Sequence, residues 1–368
     1  MTGALLAFVL AIALTACGGS SSSSESTSSS EPASSSSESS SEGSSTTAAE
    51  ESEEAAATAS TTEGPPSLEG KKIAYIETGP IPYYEYTKKS IEQAGAMLGA
   101  EVKVYNSNFE AQKELANVEA AITEQVDGLV IEPYSAALGK AALRLTNRAE
   151  IPTVALYAYS PETEEDAVQF QQANYPESGC LVGEAMKERV PTGEVAIITG
   201  TPGRGEVEAY SKAFRECVGN KVDVVAEVNG NWDRQTAAGA AQDLITKYPN
   251  LKGIFVQNED MALGVIPALG SKASQITLIS QNGSPEGEKA VEEGKIQASI
   301  GWSPSAEGAM TVRALAESLN GVDVAPKLCL TPFAVDTPED PHKSMPWEVT
   351  TKNIETAFKT PCAESKTK

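Results

Sequence analysis

From Lys71 onward, short apolar runs alternate with helical stretches, and this rhythm confines the chain to a narrow set of folds. Strands are expected over 72–76, 101–105, 128–131 and 153–156, with helices opening at Tyr83 and covering 112–124 and 136–148. After a gap the rhythm resumes. Helical segments at 183–188, 207–217, 237–247, 262–269 and 286–292 separate strands at 195–198, 222–228, 253–256, 277–280 and 296–300. A last helix spans 306–320, and two or three extended pieces follow. Strict β-α-β-α order predicts parallel, doubly wound sheets, and its repetition predicts two α/β lobes in tandem.

The stretch 254–264 shows how such a lobe presents a ligand-binding side chain. Ile254-Phe255-Val256 reads as a strand buried on both faces, and Met261-Ala262-Leu263 begins a helix. In open α/β sheets ligands sit beyond the carboxyl ends of the strands, where Asn258 lies. Asn258 also suits a helix cap, so capping and ligand contact both remain open for it.

Residues 1–16 read as a targeting segment. Residues 5–14 are apolar but shorter than the ~20 residues that span a bilayer. The run ends in Leu14-Thr15-Ala16-Cys17-Gly18, which resembles a bacterial lipobox, so Cys17 is expected to carry a lipid. Residues 17–70 are expected to be the lipidated cysteine and a disordered Ser/Glu-rich tether with a reach of roughly 40 Å. No later stretch is long and apolar enough to cross a membrane. The formal net charge of −23 argues against nucleic acid as a partner. A metal site is not expected, because there is no Cys-x-x-Cys and the single histidine, His342, lies in a proline-rich segment. Four cysteines follow the lipobox: Cys180, Cys217, Cys329 and Cys362. An even count in an oxidising compartment suggests two disulfides, with three pairings possible.

Several segments, in order and spacing, resemble the ribose- and galactose-type solute-binding proteins of bacterial ABC importers, the type I periplasmic-binding fold. They include Lys113-Glu114-Leu115-Ala116-Asn117-Val118, Gly128-Leu129-Val130-Ile131-Glu132-Pro133 and Ile151-Pro152-Thr153-Val154. Further along stand Trp232-Asp233-Arg234, Gln257 to Gly264, and Gly283-Ser284-Pro285-Glu286-Gly287-Glu288-Lys289-Ala290-Val291. The resemblance runs from about residue 71 to residue 335. It implies two doubly wound parallel-sheet lobes joined by a three-strand hinge: 71–174 plus 303–328 as lobe 1, and 175–302 plus 329–362 as lobe 2. Neighbourhood in that fold favours Cys180–Cys217 and Cys329–Cys362. It further implies a monomer, without a cofactor, that closes over a small-molecule solute and is recognised by ABC permease subunits while its lipid holds it to the membrane.

Carried over residue by residue, the resemblance places Tyr83 and Tyr84 where the family stacks aromatics on a sugar ring. Tyr157 and Ala158 stand at the family's Asp-Arg pair, and Glu208 stands at an arginine. Trp232 keeps an aromatic, Asn258 keeps an asparagine, Asn282 replaces an aspartate and Trp302 a glutamine. The charged clamp for sugar hydroxyls is gone and aromatic faces have accumulated, so a sugar ring, a purine, another planar group or an organic cation would all suit. An enzyme is not expected, since no nucleophile–base pair or metal cluster falls at a strand end. The turn Gly200-Thr201-Pro202-Gly203-Arg204-Gly205 lacks the Gly-Lys-Ser/Thr ending of a phosphate loop. A regulator of transcription is excluded by the export signal. A sensor that presents ligand to a receptor would share every feature named here.

Overall fold

The computed structural model describes residues 64–363, apart from Tyr159, Pro161 and Arg204. The expected targeting segment, Cys17 and most of the tether lie outside the described residues. The chain begins with β1 (Lys72–Glu77), α1 (Pro82–Leu98), β2 (Glu101–Asn106), α2 (Ala111–Thr123), β3 (Gly128–Ile131), α3 (Ala136–Arg148), β4 (Thr153–Leu156) and β5 (Gln169–Gln172). A second series follows: α4 (Tyr175–Arg189), β6 (Gly193–Thr199), α5 (Gly205–Cys217), β7 (Val222–Asn229), α6 (Arg234–Lys247), β8 (Leu251–Val256), α7 (Glu259–Ala268), β9 (Thr277–Asn282), α8 (Pro285–Glu292) and β10 (Ala298–Gly301). The chain ends with α9 (Pro304–Leu319), β11 (Leu328–Leu330), β12 (Ala334–Asp336) and α10 (Thr351–Lys359).

The strands form two six-stranded sheets, ordered β11-β5-β4-β3-β1-β2 and β12-β10-β9-β8-β6-β7. All the pairings are parallel except β10 with β12, which is antiparallel. Continuous apolar strands such as Ile254-Phe255-Val256 are buried because helices cover both faces of each sheet. Val130, Val154 and Ile91 belong to the core of the first lobe, and Ile197, Phe214 and Phe255 to that of the second.

Between the sheets the chain passes from β5 to α4, from β10 to α9 and from β11 to β12. A fourth passage returns from β12 to α10. The placement of 329–362 in lobe 2 is corrected accordingly. Cys329 lies in β11 of the first sheet, and Ile354, Ala357 and Phe358 of α10 pack into the first lobe's core; only β12 joins the second sheet. The limit of the tether at residue 70 also moves. Leu68 is fully buried in the first lobe and its N–H donates to the Leu98 carbonyl at 2.7 Å.

Two elements escaped the sequence. β5 is Gln-Phe-Gln-Gln, polar yet largely buried, because Gln169 Nε2 donates to the Pro326 carbonyl at 3.0 Å and satisfies its own burial. α10 is only nine residues long, and its apolar stripe of Ile354, Ala357 and Phe358 is a single helical repeat. Both disulfides form as the neighbourhood argument favoured, Cys180–Cys217 joining α4 to α5 and Cys329–Cys362 joining β11 to the tail after α10.

Candidate functional site

The carboxyl ends of both sheets converge on one cleft. Its inner compartment, about 550 Å³ counted to the open mouth, brings together seven of the eight expected ligand residues: Tyr83, Tyr84, Tyr157, Trp232, Asn258, Asn282 and Trp302. Tyr83 and Tyr84 come from the first turn of α1, and Tyr157 from the residue after β4. Trp232 precedes α6, whereas Asn258 and Asn282 end the β8 and β9 regions. Trp302 lies on the passage from β10 to α9.

Glu208 is the exception. Its carboxylate accepts the Gly203 N–H at 3.0 Å and is spent on the turn before α5, while Glu206 faces the cleft. Helical geometry explains the swap. Positions 206 and 210 share a face of α5, and Tyr210 lines the cleft beside Glu206; position 208 points the other way.

Asn258 caps its helix and also stands in the cleft. Its Oδ1 accepts the Met261 N–H at 2.8 Å as the cap of α7, and its side chain lines the cleft. Trp232 lies over the turn after β6. A Cβ on Gly200 would sit 1.9 Å from the indole, so only glycine lets the ring approach that closely. Asn282 is held from behind by Glu259. This buried carboxylate accepts the N–H groups of Gly283 and Ser284 at 3.1 and 2.6 Å, and the hydroxyls of Ser284 and Ser299, each at 2.6 Å. Burial pushes the Glu259 carboxyl above its usual range, and these donors pull it back.

The tyrosine wall is anchored in the same way. Glu307, buried in the first turn of α9, accepts hydrogen bonds from the hydroxyls of Tyr83 and Tyr157, and from Thr331 Oγ1 at 2.6 Å. Trp302 Nε1 donates to Tyr83 Oη at 3.0 Å. Burial raises the Glu307 carboxyl, against the pull of its three donors. Burial, followed by the adjacent Glu307 charge, holds both tyrosine hydroxyls well above the ordinary phenol range, so they stay protonated donors.

Several lining residues were missed from sequence. Tyr175 stacks on Tyr157 with centroids 6.4 Å apart and meets Tyr210 edge-on at 5.3 Å. Gln257 and Gln281 are immediate neighbours of Asn258 and Asn282, at strand ends where side chains reach a ligand. Trp347 had no sequence signal. Its Nε1–H donates to the carbonyls of Trp302 and Asn282 at 2.8 and 3.1 Å, and its ring meets Tyr83 and Tyr86 edge-on. It helps line an outer compartment of about 790 Å³ that shares Tyr83, Trp232, Asn258 and Asn282 with the inner one. Arg234, Asp260 and Glu286 form the outer rim. Among the described residues no group of histidine, cysteine and carboxylate side chains could hold a metal ion.

Comparison with known proteins decides what this cleft belongs to. Residues 75–323 match the model of the periplasmic binding protein domain. The chain belongs to the periplasmic binding protein family. This periplasmic binding protein is 28% identical over 255 residues to the ribose import binding protein of Salmonella typhimurium, across 68% of the chain and 86% of that relative. It is 26% identical to the D-allose-binding periplasmic protein of Escherichia coli, across 68% of the chain and 85% of the relative. A solute-binding protein of an ABC transporter from Bacillus halodurans, solved with myo-inositol, has the same fold, with a TM-score of 0.70 and 20% identity over 75% of the chain and 97% of that structure. The relatives are binding proteins of import systems, not enzymes, and the family's location is extracytoplasmic. Trp347 falls outside the residues matched by the family model.

Proposed function

We propose that this periplasmic binding protein is a lipid-anchored receptor that captures a small, ring-containing polar solute between two closing lobes and presents it to the membrane subunits of an ABC importer. One observation carries the reading: the cleft wall is assembled from both sheets, Tyr83 and Tyr157 from one and Trp232, Asn258 and Asn282 from the other, so neither lobe holds the site alone. Such a site closes by hinge motion when solute bridges the two faces. The ligand contacts proposed are Tyr83, Tyr84, Tyr157, Trp232, Asn258, Asn282 and Trp302, with Glu206 in place of Glu208. The sugars named for the relatives support a solute of about that size. The lipobox-like sequence at Cys17 supports the anchor, and the protein is taken to act as a monomer.

A solute that binds only the folded state raises the melting temperature by mass action. Thermal scans with sugars, polyols, nucleosides and quaternary amines should therefore show a shift with at least one class. No shift with any of them would sink the receptor reading. Replacing Cys17 with serine should move the protein from the membrane fraction to the medium, and retention in the membrane would remove the lipid anchor from the proposal.

A further inference from the structure

Most polar atoms on the inner wall are already engaged within the protein. The Gln257 side-chain oxygen accepts the Gly200 N–H, and its amide donates to the Val207 carbonyl and Ser211 Oγ, all at 3.0 Å. Gln281 accepts from Ser178 Oγ at 3.0 Å and donates to the Gln257 carbonyl at 2.9 Å. The hydroxyls of Tyr83 and Tyr157 are committed to Glu307, and the Trp302 N–H to Tyr83. Asn258 spends its oxygen on the cap of α7. The Glu206 carboxylate is the one charged group among the described residues of this wall. Two further groups stand apart: the Asn258 amide nitrogen and the whole Asn282 carboxamide, for which no hydrogen bond with the described residues is found.

A free monosaccharide carries a hydroxyl on nearly every carbon, and each one buried without a partner costs about 1–3 kcal/mol. A flat heteroaromatic ring makes the opposite demand. Both its faces stack on aromatic side chains, at ~1–3 kcal/mol per base, and only a few polar atoms lie on its edge. Side-chain carboxamides pair with such edges in a two-point fashion. The inner compartment therefore suits a nucleobase better than a bare sugar.

The outer compartment has the complementary chemistry. Arg234 is tied to Asp260 at 2.7 Å and to Glu286 at 2.9 Å, and it is the one basic side chain among the described residues lining either compartment. Asp260 and Glu286 retain lone pairs that accept sugar hydroxyls, as carboxylates do for the ribose of dinucleotides. A phosphate there would face two carboxylates and no uncommitted cation.

We infer that the solute is an uncharged nucleoside, its base in the inner compartment against Trp232 and the tyrosine wall, its pentose in the outer compartment toward Asp260 and Glu286. This rests on the reading of the cleft as the solute site and names the class of solute. Isothermal titration of the protein, unfolded and refolded to remove co-purified solute, tests it with adenosine, guanosine, cytidine, uridine, D-ribose, other free monosaccharides and the four nucleoside 5′-monophosphates. At least one nucleoside should bind about 100-fold more tightly than ribose and than its own monophosphate. Trp232→Ala should weaken that nucleoside by about tenfold or more, while Trp232→Phe, which keeps a stacking face, should recover most of it. A free monosaccharide or a monophosphate that equals the best nucleoside overturns the inference and leaves the receptor reading intact. So does binding of sugars with no binding of any nucleoside. Failure of these probes together with every class in the thermal screen overturns both.

Discussion

Tyr157 and Trp232 hold backbone φ angles of +53° and +57°, in the left-handed region that bulky side chains rarely adopt. Such conformations cost on the order of 1–3 kcal/mol, and they persist where the surroundings enforce them. Both rings line the cleft, so the chain holds its stacking faces in place at some expense of stability. Loss of the Trp232 ring should therefore lower ligand affinity by about 1.4 kcal/mol or more, roughly tenfold, while leaving the fold in place. Titration of Trp232→Ala with whichever solute the thermal screen identifies checks this; unchanged affinity would take Trp232 out of the contact set. The aromatic positions were legible through the family resemblance, and each follows a strand or opens a helix, where α/β architecture directs side chains to the cleft. Glu208 was misplaced because a helical face is fixed by register, and a shift of two residues turns the side chain away. Trp347 was invisible because its position depends on a passage between lobes that no local pattern encodes.

At the scale of elements, α8 adds a side-chain contact to the β10–β12 pairing that fastens the tail to the second lobe. His342 lies 2.8 Å from Glu292 and 3.3 Å from Glu288, both on that helix. Asp336 shapes the intervening turn, accepting the N–H groups of Lys343 and Ser344 at 2.9 and 3.0 Å. Burial is the largest influence on the Glu288 carboxyl and raises it to about 7; the His342 charge opposes this, and Asp336 and Glu259 reinforce it. The His342 imidazole is itself raised, first by its hydrogen bond to Glu292. A carboxyl whose folded pKa lies above its unfolded value contributes stability that is complete below the unfolded value and is lost as pH rises through the folded one. The window for Glu288 thus runs from about 4.5 to about 7. Glu288→Gln, which cannot ionise, should match or trail the wild type in acid and gain on it as pH climbs from about 4.5 to about 7, with no further gain above that. Melting temperatures of the two proteins across that range provide the check, and a constant difference would show that Glu288 does not titrate as described. The alternating elements were readable because β and α periodicities differ so plainly. β5 and α10 were not: a polar strand has no apolar alternation, and a two-turn helix shows one repeat of its stripe.

For the whole molecule, the two disulfides differ in what they enclose. Cys180–Cys217 ties neighbouring helices of the second lobe across 37 residues, whereas Cys329–Cys362 spans 33 residues that leave the first sheet, contribute β12 to the second and return. By chain entropy each bridge should contribute about 4 kcal/mol, little separated by loop length. Paired serine substitutions at either bridge should lower stability by similar amounts in denaturant titration. Only Cys329→Ser with Cys362→Ser should also weaken solute binding, because Trp347 lies within that loop. Equal binding by both variants would confine the second bridge to stability. The two-lobe plan was legible because the β-α rhythm runs twice, but the fourth passage was not, since it returns through a segment with no periodicity.

That loop has a consequence for how such a receptor could be rebuilt. The chain goes out from one half, adds a strand to the other and is then fastened back where it started, so one covalent ring includes residues of both halves. Exchanging either half for that of a relative, or ending the protein before Trp347, would cut the ring and take part of the cleft wall with it.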